Sequence, residues 1–555
     1  MLTTTMGSPY GGALQPGRAG QPERDQKRRN GTLAAMEIRE VAVVGLGTMG
    51  AGIAEVFARA GMGVVAIEAD PRAMAHGLGV LDASLSRAVS RGRLTAPEQA
   101  EIRARVRPAA GFGDAAAVDL AIEVVPERME IKRQIFAELD RVCSPDAILA
   151  TNTSSLSVTA IAAATRHPDR VVGMHFFNPA PVMRLVEVVT TVLTASHPPA
   201  AVADLARRIG KEPVQVGDRA GFVANALLLP YLNHALRLLE TGYASRADIE
   251  LAATAGIGLP MGPLALADLI GLDTVLAIME VLRDEFGGTR YTPAPLLRRL
   301  TAAGSTGRKA GRGIYDYPDP DDVLQTQDGN AAGSPSPDTV TLIGSGDDVE
   351  ASLATALATA GINVTRNAAH PSDLVLIAAS GVQRVLPAVM ATGRPKDAVG
   401  LHLPNGLTEG SVAEVVATGF SSRHAAQTAA ALTTRLGLRA VRSPDRTGFL
   451  VGTLLYPHLA DAVRMVQDGY ASPADVDTAM KLGCGYPSGP FEMLDHVGAG
   501  TVLAGLQIMF LSQGDPAFAP PLLLAEHATA ALGFAGAPPA GAGLPADRGW
   551  AEPAR

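Results

Sequence analysis

Three glycines and one carboxylate give the clearest chemical signal in the sequence. Gly45, Gly47 and Gly50 form a G-x-G-x-x-G pattern, and Glu68 follows 18 residues after the last glycine (68 − 50). In this pattern the first glycine permits a tight turn, the second lets a pyrophosphate approach the backbone, and the third lets a helix pack closely on a strand. A carboxylate near that distance hydrogen-bonds ribose hydroxyls and repels a 2′-phosphate. The spacing therefore predicts a dinucleotide site that takes NAD rather than NADP.

The segments around these residues must form a strand, a helix and a second strand to build such a site. The run VAVV before the turn predicts a strand, AGIAEVFARAG after it has helical spacing, and GVVAIEAD predicts a strand ending near Glu68. Thr48 and Met49 lie at the helix N-terminus, where free N–H groups and the positive end of the helix dipole face the phosphates. The alternative is an ordinary glycine-rich turn of an α/β protein.

The chain carries an internal duplication. Segments that begin at Gly217 and Ser443 align without a gap and pair Gly221 with Gly448, an offset of 227 residues (448 − 221). The same offset carries His175 to His402. A repeat of this length is too long for a solenoid and indicates two copies of a domain pair.

The glycine turn of the second copy is altered. Gly45 corresponds to Gly344, an offset of 299, so the second copy lacks about 72 residues (299 − 227). Val349 replaces the third glycine, and Asp347 and Asp348 lie beside it. Because carboxylates beside a phosphate site are electrostatically unfavourable, we expect no nucleotide site in the second copy.

These patterns predict an α/β fold in which a Rossmann-like NAD-binding domain and an all-helical domain are repeated, with the second Rossmann-like domain shortened. The predicted segments are a disordered leader over 1–35, a Rossmann-like domain over 36–216, a helical domain over 217–317, a linker over 318–338, a degenerate Rossmann-like domain over 339–442, a second helical domain over 443–532 and a disordered tail over 533–555. Because Met36 precedes the first strand, the leader could instead reflect a start site assigned too far upstream.

Composition narrows the function classes. The chain has 555 residues, 47% hydrophobic and 18% charged, with a net charge of −8. This charge gives no reason to expect nucleic acid or an anionic membrane as a partner. The two cysteines, Cys143 and Cys484, form no C-x-x-C motif, so we predict no metal site and a reducing, cytoplasmic location. We also expect no transmembrane helix, because no run of about 18 apolar residues occurs.

Three segments, in order and with intact spacing, resemble the L-3-hydroxyacyl-CoA dehydrogenase family: TNTSSL from Thr151, GMHFFNPAPVMRLVE from Gly173 and GFVAN from Gly221. The resemblance implies an NAD-dependent oxidation of (S)-3-hydroxyacyl-CoA, or its reverse. We expect a short acyl chain such as 3-hydroxybutyryl-CoA, and a role in fatty acid oxidation or related acyl-CoA metabolism.

The resemblance assigns His175 as the catalytic base and Glu187 as the carboxylate that orients it, with Asn178 in the same motif. Removing a hydroxyl proton as hydride leaves the same carbon needs a base of near-neutral pKa, which histidine supplies. Ser154 and Asn225 match the residues that orient the substrate, although Ser155 competes for the role of Ser154. The alternatives are a structural histidine, a turn-capping serine and a helix-terminal asparagine.

Further contacts follow from the resemblance alone. Glu127, Lys132, Asn178 and Lys309 are assigned to the cofactor, and Ser84 and Arg91 match the Ser and Lys of an acyl-CoA-binding helix hairpin. Ser84 and Arg91 are seven residues apart (91 − 84), which places them on one helix face. A solvated helix face is the alternative.

The second copy keeps His402 and Glu414 but has Gly452 for Asn225 and Gly381 for Ser154. Family members are usually dimers through their helical domains. We therefore expect one active site and an intramolecular pseudo-dimer, with further homo-oligomers open. Two alternatives remain: another β-hydroxyacid dehydrogenase of this fold, and a nucleotide-binding scaffold without catalysis.

Overall fold

The computed structural model describes residues 38–318, 336–344, 348–366, 372 and 374–534. The predicted leader, most of the predicted linker, Asp347 and nearly all of the predicted tail lie outside the described residues, as does the side chain of Asp348.

The first half contains an eight-stranded sheet. Its strands are β1 (Glu40–Val44), β2 (Gly63–Ile67), β3 (Val106–Ala109), β4 (Leu120–Glu123), β5 (Ile148–Thr151), β6 (Val171–Phe176), β7 (Leu185–Thr190) and β8 (Glu212–Gly217). Their order is β3-β2-β1-β4-β5-β6-β7-β8, and all neighbours are parallel except β6 and β7. Several strands are almost continuously buried, as expected for a parallel sheet covered on both faces.

The helices of the first half cover this sheet and then form a helical region. They are α1 (Thr48–Arg59), α2 (Pro71–Ser90), α3 (Ala96–Ala104), α4 (Met129–Val142), α5 (Val158–Ala162), α6 (His197–Arg208), α7 (Ala224–Glu240), α8 (Arg246–Leu251), α9 (Pro263–Ile270), α10 (Leu272–Phe286), α11 (Gly288–Tyr291) and α12 (Pro295–Ala302), with a π-helix over Ala252–Ile257. Local sequence explains several starts: Asp70 accepts the Arg72 N–H at 2.7 Å, and Pro71 opens α2.

The second half repeats the plan with a smaller sheet. Its strands are β9 (Thr339–Ile343), β10 (Asn363–Thr365), β11 (Leu374–Ala379), β12 (Ala398–His402), β13 (Val412–Ala417) and β14 (Arg439–Pro444), in the order β10-β9-β11-β12-β13-β14. At the offset of 227, β11 to β14 match β5 to β8, and the antiparallel pair β12 and β13 matches β6 and β7. Among the described strands none corresponds to β3 or β4, so the shortening removes that part of the sheet. The predicted fold class is confirmed.

The helices of the second half are α13 (Asp348–Thr359), α14 (Leu386–Ala391), α15 (Arg423–Arg435), α16 (Val451–Gln467), α17 (Pro473–Cys484), α18 (Pro490–Val497), α19 (Ala499–Gln513) and α20 (Leu522–Ala530). Within the described part of the chain no single helix is long and apolar enough to cross a membrane. The pair α18 and α19, bent by 91°, meets the length and composition criterion only when taken together.

The helical regions of the two halves share one hydrophobic core in which α7 packs on α16. Tyr231 of α7 and His458 of α16, which are equivalent positions (458 − 231 = 227), contact each other with ring centroids 5.2 Å apart. The buried pair Arg290 and Asp461, 2.7 Å apart, also joins the halves. The helical regions of the two halves therefore contact each other through buried residues.

Candidate active site

The glycine turn has the dimensions that a dinucleotide requires. Gly45 has φ +94°, and a Cβ on Gly50 would lie 1.9 Å from the Gly45 carbonyl oxygen, so both positions exclude a side chain. A Cβ on Gly47 would meet nothing within 4 Å, which leaves the backbone open to a ligand. Glu68 follows β2 and accepts the Leu46 N–H at 3.2 Å, so its carboxylate lies beside the turn. These residues fit NAD.

A cleft of about 820 Å³ continues from this turn. The predicted site residues that line it are Gly45, Gly47, Thr48, Met49, Glu68, Glu127, Ser154, His175, Asn178 and Asn225. The nucleotide turn, the histidine and the two polar residues assigned to substrate therefore surround one space.

His175 and Glu187 form a hydrogen-bonded pair in this cleft. They lie directly opposite each other on antiparallel β6 and β7, and His175 Nδ1 is 2.7 Å from Glu187 Oε2. The second carboxylate oxygen, Oε1, accepts the N–H groups of Val223 and Ala224 at 3.0 and 3.1 Å, just where α7 begins. Glu187 is 1% exposed, and its hydrogen bonds connect the sheet to the helical region. Nδ1 is thus occupied, and Nε2 is the nitrogen available for proton transfer.

Glu127 forms a polar wall of the cleft. Its Oε1 accepts the hydroxyl of Thr153 at 2.5 Å and the backbone N–H groups of Ser154 and Ser155 at 2.8 and 3.0 Å. Burial raises the pKa of Glu127, but the charge of Lys132 and the hydrogen bonds from Thr153 and Ser154 outweigh it, so the pKa is lowered. Glu127 is therefore ionised near neutral pH and fixes the loop that carries Ser154.

Besides Glu187 and Gly50, four predicted contacts lie outside the cleft lining. Lys132 is 1% exposed and reaches Glu123 at 2.8 Å and Glu127 at 3.2 Å, so it supports the wall from beneath. Lys309 and Arg91 are exposed, and Ser84 is half-buried on α2. The structure does not bring these side chains together with His175. Gly50 also lies beneath the lining, as its packing role requires.

Sequence reasoning did not single out Asn152, which lines the cleft and accepts the Phe176 N–H at 2.8 Å. This bond joins the end of β5 to the end of β6, beside His175. The signal was available, because Asn152 lies within the TNTSSL segment.

The second half contains the same pair in different surroundings. His402 Nδ1 is 2.7 Å from Glu414 Oε2, and Glu414 Oε1 accepts the Leu450 and Val451 N–H groups. A Cβ at Gly381, the counterpart of Ser154, would lie 2.6 Å from His402 Nε2. The Gly381 backbone therefore lies against the nitrogen that would transfer a proton.

The described residues contain no cluster of three or more His, Cys, Asp or Glu side chains arranged to hold a metal ion.

Comparisons with known proteins agree with this geometry. The protein-family model for the 3-hydroxyacyl-CoA dehydrogenase NAD binding domain matches residues 40–219. The family model for the 3-hydroxyacyl-CoA dehydrogenase C-terminal domain matches residues 221–317 and 448–533. The chain is 46% identical to a 3-hydroxybutyryl-CoA dehydrogenase of Clostridioides difficile over 50% of this chain and 99% of that protein. It is 33% identical to the 3-hydroxyadipyl-CoA dehydrogenase of Escherichia coli K12 over 90% of this chain and 99% of that protein. A crystal structure described as 3-hydroxybutyryl-CoA dehydrogenase from Escherichia coli K12 superposes with a TM-score of 0.75 at 31% identity, covering 89% of this chain and 99% of that one.

Proposed function

The chain belongs to the 3-hydroxyacyl-CoA dehydrogenase family, and from this membership we propose that it oxidises (S)-3-hydroxyacyl-CoA to 3-oxoacyl-CoA with NAD, or catalyses the reverse. The observation that carries the proposal is His175, held at Nδ1 by a buried Glu187 in the same cleft as the glycine turn. A short acyl chain is the expected substrate, as in the names of several relatives. The chain-long relative adds a dicarboxylyl chain as the second candidate.

In the oxidation, His175 Nε2 accepts the proton of the 3-hydroxyl group. Glu187 holds the ring in the required tautomer and stabilises the imidazolium that forms, as carboxylates do in hydrolase triads. The glycine turn and Glu68 would hold NAD, which would accept the hydride when bound. In the reduction the imidazolium returns its proton to the 3-oxygen.

Ser154 and Asn225 orient the substrate in this proposal. A hydroxyl and an amide can donate hydrogen bonds to the 3-oxygen and the thioester carbonyl, which fixes the reacting carbon. Ser154 is favoured over Ser155 because Ser154 is half-buried and lines the cleft, whereas Ser155 is buried and does not line it. Ser84 and Arg91 on the α2 hairpin, and Lys309, are kept as proposed contacts of the coenzyme A and cofactor phosphates.

We propose that the second helical region serves as a built-in partner, forming an intramolecular pseudo-dimer. A Cβ at Gly483 of α17 would lie 2.7 Å from Leu185 and 3.2 Å from Phe177, so α17 packs directly behind the catalytic strands. The equivalent Gly256 (483 − 256 = 227) would contact Val451 of the second half at 2.8 Å. These reciprocal contacts support a mutual covering of the two halves.

The test is the reduction of acetoacetyl-CoA by NADH in steady state, followed by a chain-length series that includes 3-oxoadipyl-CoA. Acetoacetate without coenzyme A is the matched control. Turnover of the thioester but not of the free acid is expected. Equal turnover of both would favour another β-hydroxyacid dehydrogenase. NADH binding without turnover of any substrate would favour a non-catalytic scaffold.

A further inference from the structure

A second cavity, of about 350 Å³, lies where the helical regions of the two halves meet. We name it the junction pocket. Its lining includes His234, Arg237, Thr241, Arg290, Arg446 and Asp515. Three of them are arginines, and they come from both halves of the chain.

The arginines of the junction pocket differ in how their charges are compensated. Arg290 is paired with Asp461. Arg237 donates to the backbone carbonyls of Thr289 and Thr292 at 3.2 and 2.6 Å, which carry no net charge. Arg446 lies over the ring of Tyr243, 5.3 Å from its centroid, and no carboxylate of the described residues lies within ion-pair distance of it.

One carboxylate, that of Asp515, lines the same pocket. Its Oδ1 accepts the Thr289 hydroxyl and the Ala517 N–H, so this oxygen is already engaged by two donors. Burial lowers the pKa of Arg237, and the charges of Asp515 and Glu240 oppose this only in part. Since Asp461 neutralises Arg290, the lining holds two further guanidinium groups, those of Arg237 and Arg446, against the one carboxylate of Asp515.

The duplication supplies an internal comparison. At the offset of 227, Arg446 corresponds to Arg219 and Arg237 to Arg464. In the cavity that these two residues line, Arg219 is paired with Asp468 at 3.0 Å and Arg464 with Asp461 at 2.8 Å. The cavity there measures only about 90 Å³.

The two acids of the small cavity have neutral counterparts in the junction pocket. Asp468 corresponds to Thr241 and Asp461 to His234 (468 − 241 and 461 − 234, both 227). Burial lowers the pKa of His234 to about 3, so it adds no charge near neutral pH. The pocket is thus both larger than its counterpart and relieved of the carboxylates that neutralise the equivalent arginines.

We propose that the junction pocket binds a small oxyanion with several negative charges, either a phosphoryl compound or a polycarboxylate. Guanidinium groups recognise both chemistries through paired N–H donors. An occupant would contact Arg237 on α7 of the first half and Arg446 before α16 of the second half. Its binding would therefore stabilise the contact between the halves, because a ligand that binds only the folded protein raises its stability.

The experiment measures the thermal unfolding of the full chain, saturated with NADH so that the glycine turn is filled. The probes are pyrophosphate and citrate at constant ionic strength. A saturable rise in Tm is expected. Arg446→Gln and Thr241→Asp should each weaken the apparent affinity roughly tenfold or more, the scale of one charge-assisted hydrogen bond. Arg219→Gln, at the small cavity, is the matched control and should keep the wild-type response.

Each outcome of this experiment either identifies the class of ligand or overturns the proposal. A response to pyrophosphate alone assigns a phosphoryl ligand, and a response to citrate alone assigns a polycarboxylate. No saturable response to either probe overturns the proposal, as does a response that Arg219→Gln weakens as much as Arg446→Gln. Thr241→Asp covers the case in which Arg446→Gln fails to fold, because it leaves the Arg446 contact with Tyr243 in place.

Discussion

The two histidine–glutamate pairs of the molecule have one geometry and two different surroundings. In each, histidine Nδ1 is 2.7 Å from the carboxylate, and the other carboxylate oxygen accepts two N–H groups where a helix begins. Around His175 the cleft is open and lined by Ser154 and Asn225. Around His402 a glycine backbone lies against Nε2, and Tyr456 occupies the space beside Gly452. The pair therefore connects sheet and helix in both halves, and we propose that catalysis also requires the open cleft around His175.

The largest expected effect separates the two histidines. His175→Ala should lower the turnover of acetoacetyl-CoA by roughly 10²–10⁴-fold, the usual contribution of acid–base catalysis, while NADH binding is retained. His402→Ala should leave turnover within about twofold, because the second half has Gly381 and Gly452 where the first half has Ser154 and Asn225 to orient a substrate. Steady-state rates measure the turnover of both variants. A calorimetric titration measures NADH binding, for which about one site per chain is expected. Near-wild-type turnover of His175→Ala would disprove the proposed base.

The next effect concerns the buried ion pair of Lys132 with Glu123, which has no counterpart among the described residues of the second half. Lys132→Met should destabilise the protein by about 3 kcal/mol, because it leaves Glu123 buried without its counter-charge. Lys481→Met is the control: it removes an exposed pair with Glu492 and should cost no more than about 1 kcal/mol. Denaturant unfolding measures both. Equal losses would mean that burial does not distinguish these ion pairs.

Cofactor choice should change by a smaller amount. Glu68→Ala should narrow the preference for NADH over NADPH roughly tenfold, because it removes hydrogen bonds to the ribose and the repulsion of a 2′-phosphate. Affinities for both cofactors measure the change, and Glu101→Ala, an exposed acid on α3, is the control. Equal use of the two cofactors by the unmodified protein would show that Glu68 is wrongly assigned.

The smallest effect is a pH dependence at the junction of the halves. Burial lowers the pKa of His458 to about 4, below the value of about 6.5 expected in the unfolded chain. The unfolded state therefore binds the proton first, and stability is lost as pH falls from about 6.5 towards 4. His458→Phe should flatten the fall of Tm over this range, whereas the exposed His424→Gln should not. An unchanged slope in His458→Phe would contradict this assignment.

Much of the fold and the site could be predicted because the signals are local. The glycine turn, with its strand, helix and acid, specifies one supersecondary unit, and the 12-residue spacing of His175 and Glu187 (187 − 175) suits opposed antiparallel strands. The duplication follows from the constant offset and needs no structure.

Other features depend on packing between distant segments and leave no local pattern. The sequence could not show that the Lys132 ammonium lies between Glu123, at the end of β4, and Glu127. The loss of Ser154 in the second copy could be read from the sequence, but the contact of Gly381 with His402 could not. The π-helix at Ala252–Ile257 also could not be predicted. The equivalent residues of the second half align without a gap and form the regular end of α17.

The contact between Tyr231 and His458 has a consequence for how such a molecule can change. In a closed dimer of identical chains, a residue on the two-fold axis meets its own copy, and every substitution appears on both sides at once. A histidine there would face a second histidine, and acidification would set two like charges against each other in a buried place. In a single chain the two sides vary independently, so a tyrosine can face the histidine. Because symmetry does not relate the two sides, the small cavity can have Asp461 and Asp468 where the junction pocket has His234 and Thr241.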